Sequence, residues 1–204
     1  MKRSFIQALG IACALFGLFG PKGLPASAAP FERRFAIEEG SQVSYHVTAK
    51  IVGLIDDAIA GANRRVKGEI VLVAPNQATC WAQADASDFD SGLRVRDEHV
   101  AEILGVPRTP SIRFVLDRLE GFDAGREKGR VTATGTLSVR GRDHALRMPL
   151  DYQVSGDRVR IQGEAPLRFS DFGIEPPVVG LVFKRAPDAL TIRVSLIARE
   201  VEAK

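Results

Sequence analysis

Leu190-Thr191-Ile192-Arg193-Val194-Ser195-Leu196-Ile197-Ala198-Arg199 alternates apolar and polar residues. Leu190, Ile192, Val194, Leu196 and Ala198 fall on one side of an extended chain, and Thr191, Arg193, Ser195 and Arg199 on the other. Only Ile197 breaks the polar side. A helix, with about 3.6 residues per turn, would scatter these side chains around its circumference. The stretch therefore reads as a β-strand with one buried face.

The same period recurs upstream. It runs through Val43-Tyr45-Val47-Ala49, Val66-Gly68-Ile70-Leu72, Ile112-Phe114-Leu116 and Val131-Ala133-Gly135-Leu137-Val139. It continues in Leu146-Met148-Leu150-Tyr152-Val154 and Val159-Ile161-Gly163-Ala165-Leu167, and Phe35-Ile37 and the run around Cys80 add two more candidates. Turn residues separate them at Ala74-Pro75-Asn76, Gly121 to Gly125, Arg140-Gly141 and Ser155-Gly156-Asp157. About eight or nine strands with short links predict an all-β antiparallel meander. Closing it into an up-and-down barrel of about eight strands removes the exposed edges. Such a barrel holds a small ligand if its interior is roomy. Gly68, Ala133, Gly135, Gly163 and Ala165 are small residues at inward positions and fit that picture. They fit equally a filled barrel or sandwich in which the glycines mark bends or bulges. The pattern alone leaves both open.

Two segments interrupt the strands. Arg94 to Leu104 predicts one short helix, with Val95, His99, Val100 and Ile103 on a shared face, ahead of Pro107 and Pro110. Ser170 to Pro177 reads as a turn leading into irregular chain. No linker or repeat divides residues 29–204, which are expected to form a single domain.

Residues 1–28 have the layout of a secretory signal peptide. Met1-Lys2-Arg3 is basic, Ser4 to Gly20 is apolar apart from Ser4 and Gln7, and Ala26-Ser27-Ala28 is a small-x-small cleavage signature. The apolar run falls short of the roughly 20 residues that span a bilayer. Cleavage and a periplasmic location are the expectation, with a retained anchor as the alternative. Lys2, Arg3 and Lys22 are the only charges of that leader, so its removal takes 28 Lys and Arg down to 25, matching 25 Asp and Glu. No basic field remains to steer nucleic acid. Pairs such as Arg33-Arg34 and Arg64-Arg65 read as solvated faces. Cys13 departs with the leader, leaving Cys80 with no internal partner. The fold then rests on a core, and Cys80 reads as a small buried hydrophobe.

The stretch Ser91-Gly92-Leu93-Arg94-Val95-Arg96-Asp97-Glu98-His99-Val100 gathers charge and an imidazole. On a helix, Asp97 and His99 diverge by roughly 200°, so they form no local dyad. Asp97 near the helix start favours the helix dipole, and Arg96 is expected to pair with a carboxylate or carbonyl. No nucleophile elbow or phosphate loop is present. His46, His99 and His144 lie on separate elements, without metal-ligand spacing. The reading is a protein with no catalytic residues, no metal and no cofactor.

Four motifs follow in order: Ser91-Gly92 with Arg96-Asp97 and His99; Thr109-Pro110-Ser111-Ile112-Arg113-Phe114; Gly135-Thr136-Leu137-Ser138-Val139-Arg140-Gly141; and Asp171-Phe172-Gly173. Together they resemble the YceI-like family of exported bacterial proteins. Ser91 stands where that family usually has Thr. Gly53-Leu54-Ile55-Asp56-Asp57-Ala58 replaces a common Gly-x-Phe, and no Phe-rich run follows His99. The resemblance implies a lipocalin-like antiparallel barrel whose apolar cavity takes a polyisoprenoid or isoprenoid quinone. It carries no catalytic residues. The ligand-binding candidates are the inward residues Phe114, Leu116, Leu137, Val139, Leu146, Met148, Ile192 and Val194, with Phe172 and Phe183 closing one end. The expected partner is an isoprenoid lipid or other long-chain amphiphile, with transient membrane contact and no nucleic acid. The oligomeric state stays open, a homodimer included. The rival reading is a stress-response or protein-interaction module with a filled barrel and no ligand.

Overall fold

The computed structural model describes residues 32–51, 55–73, 77–179 and 184–202. The expected leader, the turn at Ala74-Pro75-Asn76 and Phe183 lie outside them. The strands are β1 (Glu32–Ile37), β2 (Gln42–Ile51), β3 (Ile55–Asn63), β4 (Lys67–Val73), β5 (Gln77–Asp85), β6 (Ser111–Glu120), β7 (Lys128–Val139), β8 (Arg142–Ser155), β9 (Arg158–Leu167), β10 (Val178–Val179), β11 (Lys184–Arg185) and β12 (Leu190–Val201). The helix α1 spans Arg94–Ile103, within the expected limits.

β1, β4, β5, β6, β7, β8, β9 and β12 pair antiparallel in that order, and β12 returns to β1. The cylinder is closed, with eight strands. β12, the strand with the cleanest alternation, closes it. One edge of β12 runs along β9 from Leu190 to Arg199. Its other edge takes two partners: Ala198 to Val201 face β1, and Thr191 to Ser195 face β2.

β1 and β2 are therefore one course of chain with a kink at Glu38 to Ser41, where Gly40 adopts φ +91°. At the kink the Ser41 hydroxyl takes over the ladder, donating to the Ile197 carbonyl at 3.0 Å and accepting from its N–H at 2.9 Å. This explains the one break in the polar face. Ile197 lies beneath the kink, its Cδ1 3.3 Å from where a Cβ on Gly40 would stand. β3 and β4 kink at the same level. Asn63 holds that corner, donating from Nδ2 to the Asp85 carbonyl at 2.6 Å and accepting the Arg65 N–H at 2.8 Å. Ser41 and Asn63, 1% and 0% exposed, are the buried polar residues among those described.

Beyond the kinks, β2 and β3 pair with each other as a flared hairpin. The outer edge of β3 makes one backbone bridge among the described residues, Ala62 with Asp90. Residues 86–110 fill the gap this leaves in the wall. That insertion is closed at its base by the Ala86 N–H donating to the Pro110 carbonyl at 2.6 Å. Phe89 pins it to β2 against Tyr45, with ring centroids 5.6 Å apart. The far end of the barrel is packed shut by Phe35, Ile70, Val159 and Ala198. Burying Phe35 completely contributes about 1.5–3 kcal/mol.

β3 was not among the sequence-predicted strands. Its described inward positions include Gly61 and Asn63, which carry no apolar period; the ring of Tyr45 covers Gly61 from the neighbouring strand. Of the two readings left open for the inward glycines, the structure takes close packing. A Cβ on Gly68 would collide with the Trp81 carbonyl, on Gly135 with the Val115 carbonyl, and on Gly163 with the Pro149 carbonyl. They permit close strand approach, and Gly135 faces the β-bulge between Leu116 and Arg118. The room inside the barrel comes from elsewhere.

Outside, Arg34, Arg64 and Arg65 are solvated as expected, whereas Arg33 is half-buried over the Phe35 ring, and all four meet carboxylates. Arg33 meets Glu200 at 2.6 Å, Arg34 meets Glu32 at 2.7 Å, Arg64 meets Asp90 at 3.6 Å and Arg65 meets Asp88 at 3.3 Å.

Candidate ligand cavity

The interior is not filled. A deep chamber of about 180 Å³ lies mid-barrel, and an outer chamber of about 970 Å³ opens beneath α1. Val43, Ile112, Leu137 and Ile192 belong to the walls of both. The void explains a feature of the inward residues: Ile112, Phe114, Leu150, Ile192 and Leu196 point inward, yet none of them is fully buried. A chamber near 150 Å³ takes a benzene-sized group, and ligand pockets run to about 1,000 Å³.

Phe114, Leu116, Leu146, Met148 and Val194 line the deep chamber, and Leu137 and Ile192 line both. Val139 and Phe172 line the outer one. Eight of these nine candidates come from strand periodicity, and Phe172 from the irregular stretch. The candidates passed over Val43 and Tyr45, although their alternation was visible. Phe89 and Phe169 carried no periodic signal, because they sit on irregular chain whose position only the fold sets.

Two lids cover the outer chamber. The first is α1, which has no buried residue. Leu93 and Val95 stand at its rim, 56% and 74% exposed. Val95 was expected on the inward helix face and instead meets solvent. The second lid is formed by residues 168–179 and 184–189. Phe169, Phe172, Ile174 and Pro177 face the chamber from it. Ser170 ties its two ends together, its N–H and hydroxyl both donating to the Asp188 carboxylate at 2.9 and 2.5 Å. Those hydrogen bonds, the hydroxyl first, hold the Asp188 carboxyl below its ordinary pKa.

The charged stretch lies along the first lid. Arg94 donates to Glu98 at 2.6 Å. His99, half exposed, stands 3.8 Å from Glu102. Asp97 accepts the Ser91 N–H at 2.9 Å and so fastens the turn that leads into α1. The partner expected for Arg96 is missing: it makes no hydrogen bond or ion pair among the described residues. No group of His, Cys, Asp and Glu among them could hold a metal ion. Burial of the Tyr45 phenol pushes its pKa up, with Arg96 pulling it down and Asp97 raising it. Cys80 faces the deep chamber, and burial pushes its thiol up to about 12.

A second concavity of about 1100 Å³ lies on the outer face of β2, β3, β8, β9 and β12. Its charges neutralise one another, Arg130 with Asp151 at 2.9 Å and Arg193 with Glu164 at 2.9 Å. It offers no apolar surface comparable to the interior.

Solved structures with this fold include BcnA of Burkholderia cenocepacia, at TM-score 0.61 and 20% identity, covering 77% of this chain and 95% of that one. A polyisoprenoid binding domain from Saccharophagus degradans superposes at TM-score 0.66 and 12% identity, covering 82% and 98%. The YceI protein of Campylobacter jejuni does so at 0.61 and 17%, covering 75% and 91%. By sequence, the chain is also 28% identical over 105 residues to the major capsid protein of Serratia phage KSP90. That match spans 52% of this chain but 23% of the phage protein, about a quarter of its length, and transfers no activity. A family model described as YceI-like domain matches residues 36–198. With the closed barrel and its apolar interior, that match over most of the chain shows that this protein belongs to the YceI-like family.

Proposed function

We propose that the chain is a non-catalytic carrier or store of a long apolar chain, a polyisoprenoid or isoprenoid quinone, acting in the periplasm after export. The observation that carries this reading is the two-chambered apolar interior beneath a helix that buries none of its own residues. The Saccharophagus degradans domain, named for polyisoprenoid binding, supports it by similarity of fold. Burial of each CH₂ contributes about 0.8 kcal/mol, so a long chain needs few polar contacts. Phe114, Leu116, Leu137, Val139, Leu146, Met148, Phe172, Ile192 and Val194 would contact it, and Phe183 is retained from the sequence reading. The exposed Leu93 and Val95 at the mouth suit brief contact with a membrane during loading.

The test is gentle purification of the mature protein, solvent extraction and mass spectrometry, followed by titration with prenyl lipids. Finding neither a co-purified lipid nor binding would sink the proposal. Ile192→Trp, placed where the two chambers share a wall, should weaken prenyl-chain binding by about tenfold or more while the barrel stays folded.

A further inference from the structure

The outer chamber is lined by basic side chains without acidic ones. Among the described residues its wall holds Arg94, Arg96 and His99 and no carboxylate. The carboxylates of α1 lie outside that wall. Glu98 holds Arg94 at 2.6 Å, Glu102 stands 3.8 Å from His99, and Asp97 accepts the Ser91 N–H at 2.9 Å. Asp171, Glu175 and Asp188 of the second lid do not line the chamber either.

Arg94 and His99 thus each have a carboxylate, and Arg96 does not. Arg96 is partly buried, and it makes no hydrogen bond or ion pair among the described residues. The sequence of α1 explains why. Its neighbours at three and four positions are Leu93, His99 and Val100, so no acid shares its side of the helix. Across the chamber, β2 and the second lid present Val43, Val47, Phe169, Phe172 and Ile174. None of these can accept a hydrogen bond through its side chain.

A guanidinium stays charged in a protein and only donates. Withdrawing such a charge from water without a partner opposes folding. An oxyanion in the chamber supplies that partner, through a two-point charge-assisted contact. A neutral carbonyl accepts a hydrogen bond but leaves the charge uncompensated, and a cationic head is repelled. The deep chamber has no charged side chain among the described residues, so it suits the apolar end of the ligand.

We propose that Arg96 anchors an anionic head group, a phosphate or a carboxylate, with the ligand's apolar chain running past Ile192 into the deep chamber. This rests on the carrier reading, and it selects a charged amphiphile over a neutral quinone.

The experiment titrates four probes of equal chain length: a prenyl phosphate, a prenyl carboxylate, a prenyl alcohol and a prenyl quinone. Each is measured on the wild type, Arg96→Gln, Arg96→Lys and Arg113→Gln. Arg113, exposed on the outer face of β6 over the Trp81 ring, controls for net charge. In the wild type at least one anion should bind about tenfold or more tighter than the alcohol and the quinone. The tighter anion names the head, and the gap should narrow as salt rises. Arg96→Gln should remove the gap and leave the alcohol's affinity unchanged. Arg96→Lys should keep part of the gap, and Arg113→Gln all of it. Without ligand, the unfolding midpoint of Arg96→Gln should equal or exceed that of the wild type, because an unpaired charge has gone. An unchanged anion-to-alcohol ratio in Arg96→Gln overturns the anchor. So does an equal loss of anion and alcohol affinity with a lowered midpoint, which makes Arg96 a structural residue. Alcohol or quinone binding as tight as either anion to the wild type overturns the anchor while the carrier reading stands. Binding of none of the four overturns both.

Discussion

Asn63 and Ser41 do at residue scale what the strand pattern could not announce. Each replaces a ladder contact where a strand kinks, and each is buried. Asn63→Ala would leave the Asp85 carbonyl and the Arg65 N–H unpaired. It should lower stability by about 1–3 kcal/mol, read as a lower urea midpoint at unchanged slope. Ser41→Ala should behave alike. Neither residue was singled out in the sequence, because a serine or asparagine between strands ordinarily marks an exposed turn. Cys80 was legible, since an apolar run with no neighbouring cation predicts an inert thiol. Its folded pKa of about 12 lies above the ordinary thiol value of 9.0. The unfolded chain therefore loses this proton first, and stability should fall as pH rises between those two values, at about 1.4 kcal/mol per pH unit at most. Comparing wild type with Cys80→Ala across that window isolates the effect. Parallel curves would contradict it.

At the scale of elements, α1 was readable as a helix because its start, its charges and the following prolines agree. Its task was not. A helix over a packed core buries a stripe of side chains, whereas α1 buries none and covers an empty chamber. The second lid depends on a pH-sensitive tie. The Asp188 pKa is lowered, so its bonds to Ser170 are intact above the ordinary carboxylate range. They are lost as the pH falls through that lowered value. Ligand release should accelerate in acid for that reason, and Asp188→Asn should release faster at neutral pH with a weaker acid response. Release rates that are independent of pH in the wild type would refute this. β3 was illegible for a complementary reason: its partner strand supplies the ring that covers it.

At the scale of the whole molecule, alternating side chains determined the class and the inward faces of the barrel strands, because period two leaves a half-buried strand only one face to bury. Motif order determined the family. The sequence did not determine where the space lies. Inward glycines were compatible with a cavity around them or with bends and bulges, and neighbouring strand carbonyls crowd those positions. The space arises because two kinks, held by Ser41 and Asn63, flare β2 and β3 away from the barrel while two irregular segments roof the opening. That outcome depends on contacts such as Ser41 with Ile197, 156 positions apart. Local periodicity fixes which side of a strand is apolar; only the closed sheet decides how far apart the apolar sides stand.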